Sequence, residues 1–514
     1  MPVGHSLGTR QAPGKAPGKA PDKAPGNDHH VRGAAPVAQV RTSTGHAAAP
    51  GRRRDSRAAT RVTVTLLMLV VLLAAVIAYG ATRDRKDEAS APVPAPSAAP
   101  PSPAPPVAAP VTPAELEALA AARSRALAEG DENAFLAALD PATPGLVDEQ
   151  RRLFRNLRPI PFDEAAYHVD ATRPADMPDA LIVDVSFDHR IANADTATVG
   201  EGYRWTVVRP APGAQPRITS VTGTPYEGAG YRYARDYPAP WDRSELTVAR
   251  RPHVVVLAEQ GLADRAEGLA DAAEAAAVAD LATYKGPKGT SPGFVLVPVA
   301  DRHSFYELYG GRADQHGDES GLTYALRTSA TAGASPVIGH PQFGGARIVV
   351  DVNSGYFTSG DPERAAALLR HEMAHALITP LRTELAGQNQ PVWIVEGFAD
   401  WLALRDHRDH LDAELTEARA YVVTGRFGGA LPTDADLYQA DPVGNAASYE
   451  LAHLAVLRIE QLGGTSAVYR FIAAVYADPS PSAVDQALKN ATGFERADFE
   501  TDWAQYVRTL FGVP

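Results

Sequence analysis

The pattern of apolar and polar positions changes several times along this 514-residue chain, and it predicts an α+β protein with one membrane span. Residues 1–61 are polar and carry a four-residue Ala-Pro-Gly-Lys repeat, which predicts a disordered tail. Residues 62–81 contain no charge, and a helix of this length can cross a bilayer. We therefore expect a single transmembrane helix at 62–81 and an extended Pro/Ala-rich linker at 82–112.

A helical pattern followed by a strand pattern predicts a small α+β domain at 113–225. The predicted helices cover 115–128, 132–139 and 147–157, and the predicted strands cover 166–169, 180–187, 203–208 and 217–221. Helices that precede a curved antiparallel sheet are similar to an NTF2-like cone. An aromatic, Gly- and Pro-rich stretch at 226–241 predicts the linker to the next domain.

Residues 242–514 combine buried-strand patterns with a long helical half, which predicts a mixed sheet packed by helices. Strands are predicted at 246–249, 253–258, 293–299, 336–338 and 347–353, and a loop at 310–333. Helices are predicted at 261–284, 302–309, 412–423, 446–462, 466–476, 482–490 and 496–511, in addition to two helices described below.

Charge and composition restrict the function classes. The chain has no cysteine, which excludes disulfides, thiol catalysis and cysteine-ligated metal sites. Its net charge is −12, and residues 89–514 are strongly acidic, so we expect no nucleic-acid partner. Arginines crowd the N-terminal flank of 62–81, and the positive-inside rule then places the basic tail in the cytoplasm and residues beyond the span outside. A cleaved signal peptide is the alternative to this anchor.

The residues most indicative of chemistry are His371, Glu372 and His375. Asp361 and Pro362 predict the start of the helix that carries them, and Pro380 predicts its end. Histidines four residues apart lie on one helix face, so both imidazoles can bind a single zinc ion. Glu372 then lies beside the ion, where a general base takes a proton from a water molecule held by the metal.

A second predicted helix follows Pro391 and supplies further candidates. A catalytic zinc ion normally has three protein ligands, so a third ligand is required, and Glu396 is the candidate. Asp400 lies one helical turn further on and is expected to accept a hydrogen bond from a ligand histidine.

These residues together are similar to the gluzincin zinc metallopeptidases, with H-E-x-x-H at 371–375 and E-x-x-x-D at 396–400. The stretch W-I-V-E-G-F-A-D-W looks most like the peptidase MA-like domains of bacterial envelope proteins. The resemblance implies a zincin-type domain at 242–514 with a helical C-terminal half. It also implies a downstream tyrosine or histidine at the oxyanion, for which Tyr449 is the candidate unless it is a packing residue. An extended substrate would pair with strand 347–353, unless that strand is interior.

The sequence thus predicts a membrane-anchored extracytoplasmic peptidase that uses zinc to hydrolyse a peptide or protein substrate. Two alternatives stay open at this point. One is a catalytically inactive zinc-binding envelope receptor or scaffold, since a peptidase fold can persist as a binding module. The other is a structural protein in which the H-E-x-x-H motif is accidental.

Overall fold

The computed structural model describes residues 109–177, 179–225, 236–310, 319–329, 342–383, 389–405, 415–437 and 441–514. The predictions for 1–61, 62–81, 82–108, 226–235 and 336–338 lie outside the described residues. Within them the chain is α+β, with two sheets and a helical C-terminal half.

The N-terminal unit consists of three helices followed by an antiparallel meander. Its elements are α1 (Pro113–Glu129), α2 (Glu132–Leu136), α3 (Pro144–Leu157), β1 (Phe162–Pro174), β2 (Ala180–Ile191), β3 (Val199–Val208) and β4 (Arg217–Gly223). Thr112 and Glu115 form a capping box at the start of α1, and Gly130 ends it with a left-handed φ of 77°. The strands pair in the order β1-β2-β3-β4. The resemblance to an NTF2-like cone stays a prediction.

The second sheet is mixed and has five strands in the order β5-β6-β7-β9-β8. Its strands are β5 (Leu246–Arg250), β6 (Val254–Glu259), β7 (Phe294–Val299), β8 (Gly321–Arg327) and β9 (Phe343–Asp351). The pairs β6–β7 and β7–β9 are parallel, whereas β5 and β8 run antiparallel to their neighbours. Strands β5 and β8 are therefore the two edges of the sheet.

Helices account for most of the remaining described chain. They are α4 (Pro240–Arg243), α5 (Ala266–Thr283), α6 (Arg302–Glu307), α7 (Gly355–Thr358), α8 (Pro362–Ile378), α9 (Val392–Ala403), α10 (Thr416–Val423), α11 (Asp434–Leu437), α12 (Pro442–Gly463), α13 (Thr465–Ala477), α14 (Pro481–Thr492) and α15 (Arg496–Leu510). A short 3₁₀ segment, Gln260–Arg265, precedes α5, and another, Thr379–Leu381, follows α8.

Both faces of the central strands β6, β7 and β9 are buried, and this determines how the chain is packed. Val254 and Val256 of β6 belong to the core formed with the C-terminal helices. Val255 and Leu257, which point the other way, belong to the core that the N-terminal unit contributes. A strand covered on both faces is apolar at successive positions, which explains the valine runs of β6, β7 and β9.

A buried ion pair links the two units through this shared core. Arg347 of β9 contacts both carboxylate oxygens of Asp195, at 2.6 and 2.9 Å, and neither side chain is exposed. Gly345 allows this approach, because a Cβ there would lie 2.0 Å from Oδ1 of Asp195. Removing one partner of such a pair leaves an uncompensated buried charge.

The described helices do not support the membrane part of the fold prediction. In the part of the chain that the structure describes, no helix is both long enough and apolar enough to cross a bilayer. The longest of these helices, α12, carries Glu450, Arg458 and Glu460, and such charges are costly in hydrocarbon. The predicted single-pass membrane localisation with a cytoplasmic N-terminus is therefore not supported either.

Two predictions about strands are also corrected. The predicted loop at 310–333 contains β8, an edge strand whose apolar Leu322, Tyr324 and Leu326 alternate with Thr323 and Ala325. The strand predicted at 347–353 for substrate pairing is β9, which lies between β7 and β8 and is therefore interior. Residues 348–350 are already paired on both sides, with β7 and with β8, so an extended substrate cannot add to the strand there.

The Asp195–Arg347 pair generates a stability prediction. We expect Asp195→Ala to lower the free energy of unfolding by about 3–5 kcal/mol, because Arg347 then remains charged and buried without its carboxylate. The measurement is equilibrium unfolding in urea. The control is Asp163→Ala, which removes the half-exposed Asp163–Arg190 pair at 3.6 Å and should cost on the order of 0–1 kcal/mol. Equal effects of the two variants would contradict this account.

Glu201 generates a prediction about pH. Burial and the neighbouring Asp242 raise the pKa of Glu201 well above its ordinary value, so the folded chain retains a proton that the unfolded chain has lost. Below the ordinary carboxyl pKa of about 4.3, the contribution of this proton to the free energy of unfolding is fully present. As the pH rises from there toward the raised pKa of Glu201, the free energy of unfolding declines by up to about 1.4 kcal/mol per pH unit.

Glu201→Gln carries no titratable proton at this position, so we expect its free energy of unfolding to decline less steeply than that of the wild type above pH 4.3. The measurement is urea unfolding at a series of pH values. If the free energies of unfolding of the two proteins change in parallel with pH, Glu201 has the same pKa in the folded and the unfolded chain. That result would contradict the prediction.

Candidate metal centre

Helix α8 begins where the sequence predicts and positions the two histidines. The Asp361 side chain accepts a hydrogen bond from the backbone of Glu363 at 3.0 Å, and Pro362 occupies the first turn. His371 and His375 follow on one face, and both are buried. Arg370 fixes the helix on its other side through an ion pair with the buried Asp280 of α5, at 2.8 Å.

Helix α9 begins directly after Pro391 and brings Glu396 to the two histidines. All twelve of its residues are buried. Gly397 lets α9 approach α12 closely, because a Cβ at this position would lie 2.4 Å from the carbonyl oxygen of Ala452. Trp401 donates a hydrogen bond to Glu460 of α12 at 3.0 Å, which holds the same two helices together one turn later.

Three donor atoms from these helices converge. Nε2 of His371 lies 3.1 Å from Nε2 of His375. Oε2 of Glu396 lies 3.3 Å from the first nitrogen and 3.4 Å from the second. Among the described residues, this is the group of His and carboxylate side chains whose arrangement suits a metal ion.

The donor atoms fit a zinc ion. Three ligands at about 2.0–2.1 Å from one tetrahedral ion stand about 3.3–3.4 Å from one another, close to the separations found here. Neither oxygen of Glu396 accepts a hydrogen bond from a described residue, although Glu396 is completely buried. A buried carboxylate without donors is costly unless a cation lies beside it, and two histidines and one carboxylate are zinc ligands.

Asp400 lies beside His371. Its Oδ1 is 2.8 Å from Nδ1 of His371, so the imidazole carries its proton there and directs the lone pair of Nε2 toward His375 and Glu396. Burial acts to lower the pKa of His371, but the hydrogen bond with Asp400 and the adjacent Glu396 outweigh it and raise the pKa. Protons therefore compete with a metal for this nitrogen as the pH falls.

Glu372 points toward the edge strand β8. Thr323 donates a hydrogen bond to Oε2 of Glu372 at 2.7 Å, and the Glu372 carboxylate is fully buried. Burial raises the pKa of Glu372, although the neighbouring His371 and His375 act in the opposite direction. A raised pKa suits a carboxylate that takes up and releases a proton.

Tyr449 lies on α12, the helix that packs against α9, and is buried. His453 follows it one turn later and is also buried. The role of Tyr449 at an oxyanion stays a prediction, as does its alternative as a packing residue.

Sequence reasoning missed two residues at this site, Thr323 and Gly321. A Cβ at position 321 would lie 2.4 Å from Oε1 of Glu372, so the glycine leaves the space that this carboxylate occupies. Both residues fell within a predicted loop. The alternation of Leu322, Tyr324 and Leu326 was the available signal for a strand there.

No family model matches the chain, and no curated protein sequence matches it. One solved structure, a two-domain M1 zinc metallopeptidase mutant bound to L-tryptophan, is similar over 66% of this chain and 92% of its own. The identity is 13% and the TM-score is 0.28, a likeness too weak to carry an argument about fold or function.

The Asp400–His371 contact generates a prediction about metal affinity. We expect Asp400→Ala to weaken zinc binding by about 10- to 100-fold, because His371 loses the partner that orients its ring. Zinc dissociation constants measured by competition with a chromophoric chelator test this. Asp361→Asn is the control, because asparagine also caps a helix and the affinity should then stay within about twofold. An unchanged affinity in Asp400→Ala would exclude this role.

Proposed function

We propose that this protein is a zinc-dependent peptidase that hydrolyses a peptide bond. The observation that carries the proposal is the convergence of His371, His375 and Glu396 beside a second buried carboxylate, Glu372. In this proposal the first three residues bind zinc, Glu372 is the general base, and Asp400 orients His371. Peptides or proteins are the proposed substrates.

The proposed roles follow from the chemistry of each group. A zinc ion held by His371, His375 and Glu396 would lower the pKa of a water molecule toward neutrality and would polarise a carbonyl group. Glu372 accepts the proton of the attacking water and later transfers it to the nitrogen of the leaving amine. Asp400 keeps the proton of His371 on Nδ1, so that Nε2 remains a ligand.

A second candidate is a zinc-binding receptor or scaffold without catalytic activity. It is favoured by burial, because Glu372 and Glu396 have no exposed surface and His371 is only 8% exposed. A general base must reach the water that attacks the substrate. The two candidates share the metal ligands and differ only in turnover.

Glu372→Gln separates the candidates. We expect this variant to bind one zinc ion per chain, as the wild type does, while hydrolysis of a mixed peptide pool falls at least about 100-fold, because the amide cannot accept the proton. The control is Glu363→Gln, the same change at an exposed position of α8, which should leave both zinc content and hydrolysis unchanged. Zinc is measured by elemental analysis and hydrolysis by mass spectrometry.

Chelation completes this experiment. Hydrolysis by the wild type should stop after metal removal and return when zinc is added. A wild-type protein that binds zinc but cleaves no peptide would support the receptor or scaffold. A Glu372→Gln variant with full activity would exclude Glu372 as the base, and a protein that binds no zinc would contradict both candidates.

A further inference from the structure

The edge strand β8 contacts the carboxylate of Glu372 directly. Thr323 is 3% exposed, and its hydroxyl lies 2.7 Å from Oε2 and 3.0 Å from the backbone oxygen of Glu372. A hydroxyl has one proton and rotates to donate it to the better of two acceptors. Here the better acceptor is the charged carboxylate oxygen Oε2, and the weaker one is the neutral backbone oxygen. Thr323 and Glu372 thus connect the sheet edge to α8.

The two oxygens of Glu372 have different surroundings. Oε2 accepts the hydrogen bond from Thr323, whereas Oε1 accepts none from the residues that the structure describes. A charge-assisted hydrogen bond in a buried site fixes the orientation of a carboxylate. Oε1 is therefore the oxygen whose lone pairs are available for a proton.

Gly321 leaves space for the carboxylate of Glu372 next to Thr323. Residues two apart in a strand face the same side, so positions 321 and 323 both face Glu372. A side chain at 321 would collide with Oε1 at 2.4 Å and with the carboxyl carbon of Glu372 at 2.7 Å. The glycine leaves room for the carboxylate, and the threonine two residues later provides its hydrogen bond.

We propose that Thr323 is a positioning residue for Glu372, and that its hydroxyl holds Oε2 so that Oε1 accepts the proton during hydrolysis. This inference rests on the proposed peptidase function. Thr323 acts through Glu372 and needs no contact with the substrate. A purely structural reading, in which the hydroxyl only fastens β8 to α8 through the backbone oxygen of Glu372, predicts changed stability without a specific kinetic effect.

Thr323→Val and Thr323→Ser test the proposal in the full chain. Valine keeps the shape of threonine without the hydroxyl, so we expect kcat to fall about 10- to 100-fold while KM stays within about twofold. Serine retains the hydroxyl and should keep kcat within about threefold of the wild type. The matched control is Thr247→Val on β5, the opposite edge of the same sheet, which should leave both constants unchanged.

A spectroscopic measurement keeps the test independent of turnover. With cobalt in place of zinc, the visible absorption spectrum reports the surroundings of the ion, so Thr323→Val should shift it in the same direction as Glu372→Gln. Thr323→Ser should give the wild-type spectrum. Metal content should be equal in all variants, because Thr323 does not touch His371, His375 or Glu396 in this account.

The outcomes distinguish the two proposals. If the wild type binds cobalt but hydrolyses nothing, the peptidase function fails, and the spectra alone decide whether Thr323 positions Glu372. If the wild type is active and Thr323→Val retains wild-type kcat and spectrum, the positioning role is overturned while the peptidase remains. Equal losses of kcat in Thr323→Val and Thr323→Ser would assign Thr323 a structural role and would overturn the proposal as well.

Discussion

A completely buried carboxylate beside two buried imidazoles is the constraint on which this structure depends. Glu396 has no exposed surface, and neither of its oxygens accepts a hydrogen bond from a described residue. Taking such a charge out of water costs several kcal/mol unless a cation or a full set of donors compensates for it. His371 and His375 present nitrogen lone pairs to the same point. The proposed zinc ion would bind all three groups there and offset the cost of burying them.

The rest of the described fold holds these groups at that point. The central strands of the five-stranded sheet are buried on both faces, so α8 rests on a surface that the N-terminal unit supports from behind. Arg370 with Asp280 and Trp401 with Glu460 fix α8 and α9 to their neighbours. The close contact at Gly397 sets the distance between α9 and α12. A site assembled from helices with several independent supports is rigid, as a preformed metal site requires.

The sequence was sufficient to predict the helices that carry the candidate ligands, because caps, prolines and residue spacing are local signals. Asp361, Pro362 and Pro391 determine where α8 and α9 begin. The spacing of Glu396 and Asp400 likewise predicted which residues lie near the histidines. Their roles as ligand and as orienting group remain proposals.

Properties that depend on tertiary pairing could not be predicted in this way. The order of strands in the sheet decides that β8 rather than β9 is the edge, and no local pattern encodes that order. The contact of Thr323 with Glu372 joins residues 49 positions apart. The buried Arg347–Asp195 pair joins residues 152 positions apart, and each of its members alone resembles an ordinary surface charge. The hydrophobicity of 62–81 led to a membrane prediction that the described helices do not support.

X-ray absorption at the zinc edge of the purified full chain tests the central claim most directly. The account predicts one zinc ion per chain with two imidazole ligands and oxygen ligands at about 2.0–2.2 Å, and it predicts that Glu396→Ala weakens or abolishes binding. A chain that binds no zinc would contradict it. So would a zinc environment that is identical in the wild type and in Glu396→Ala.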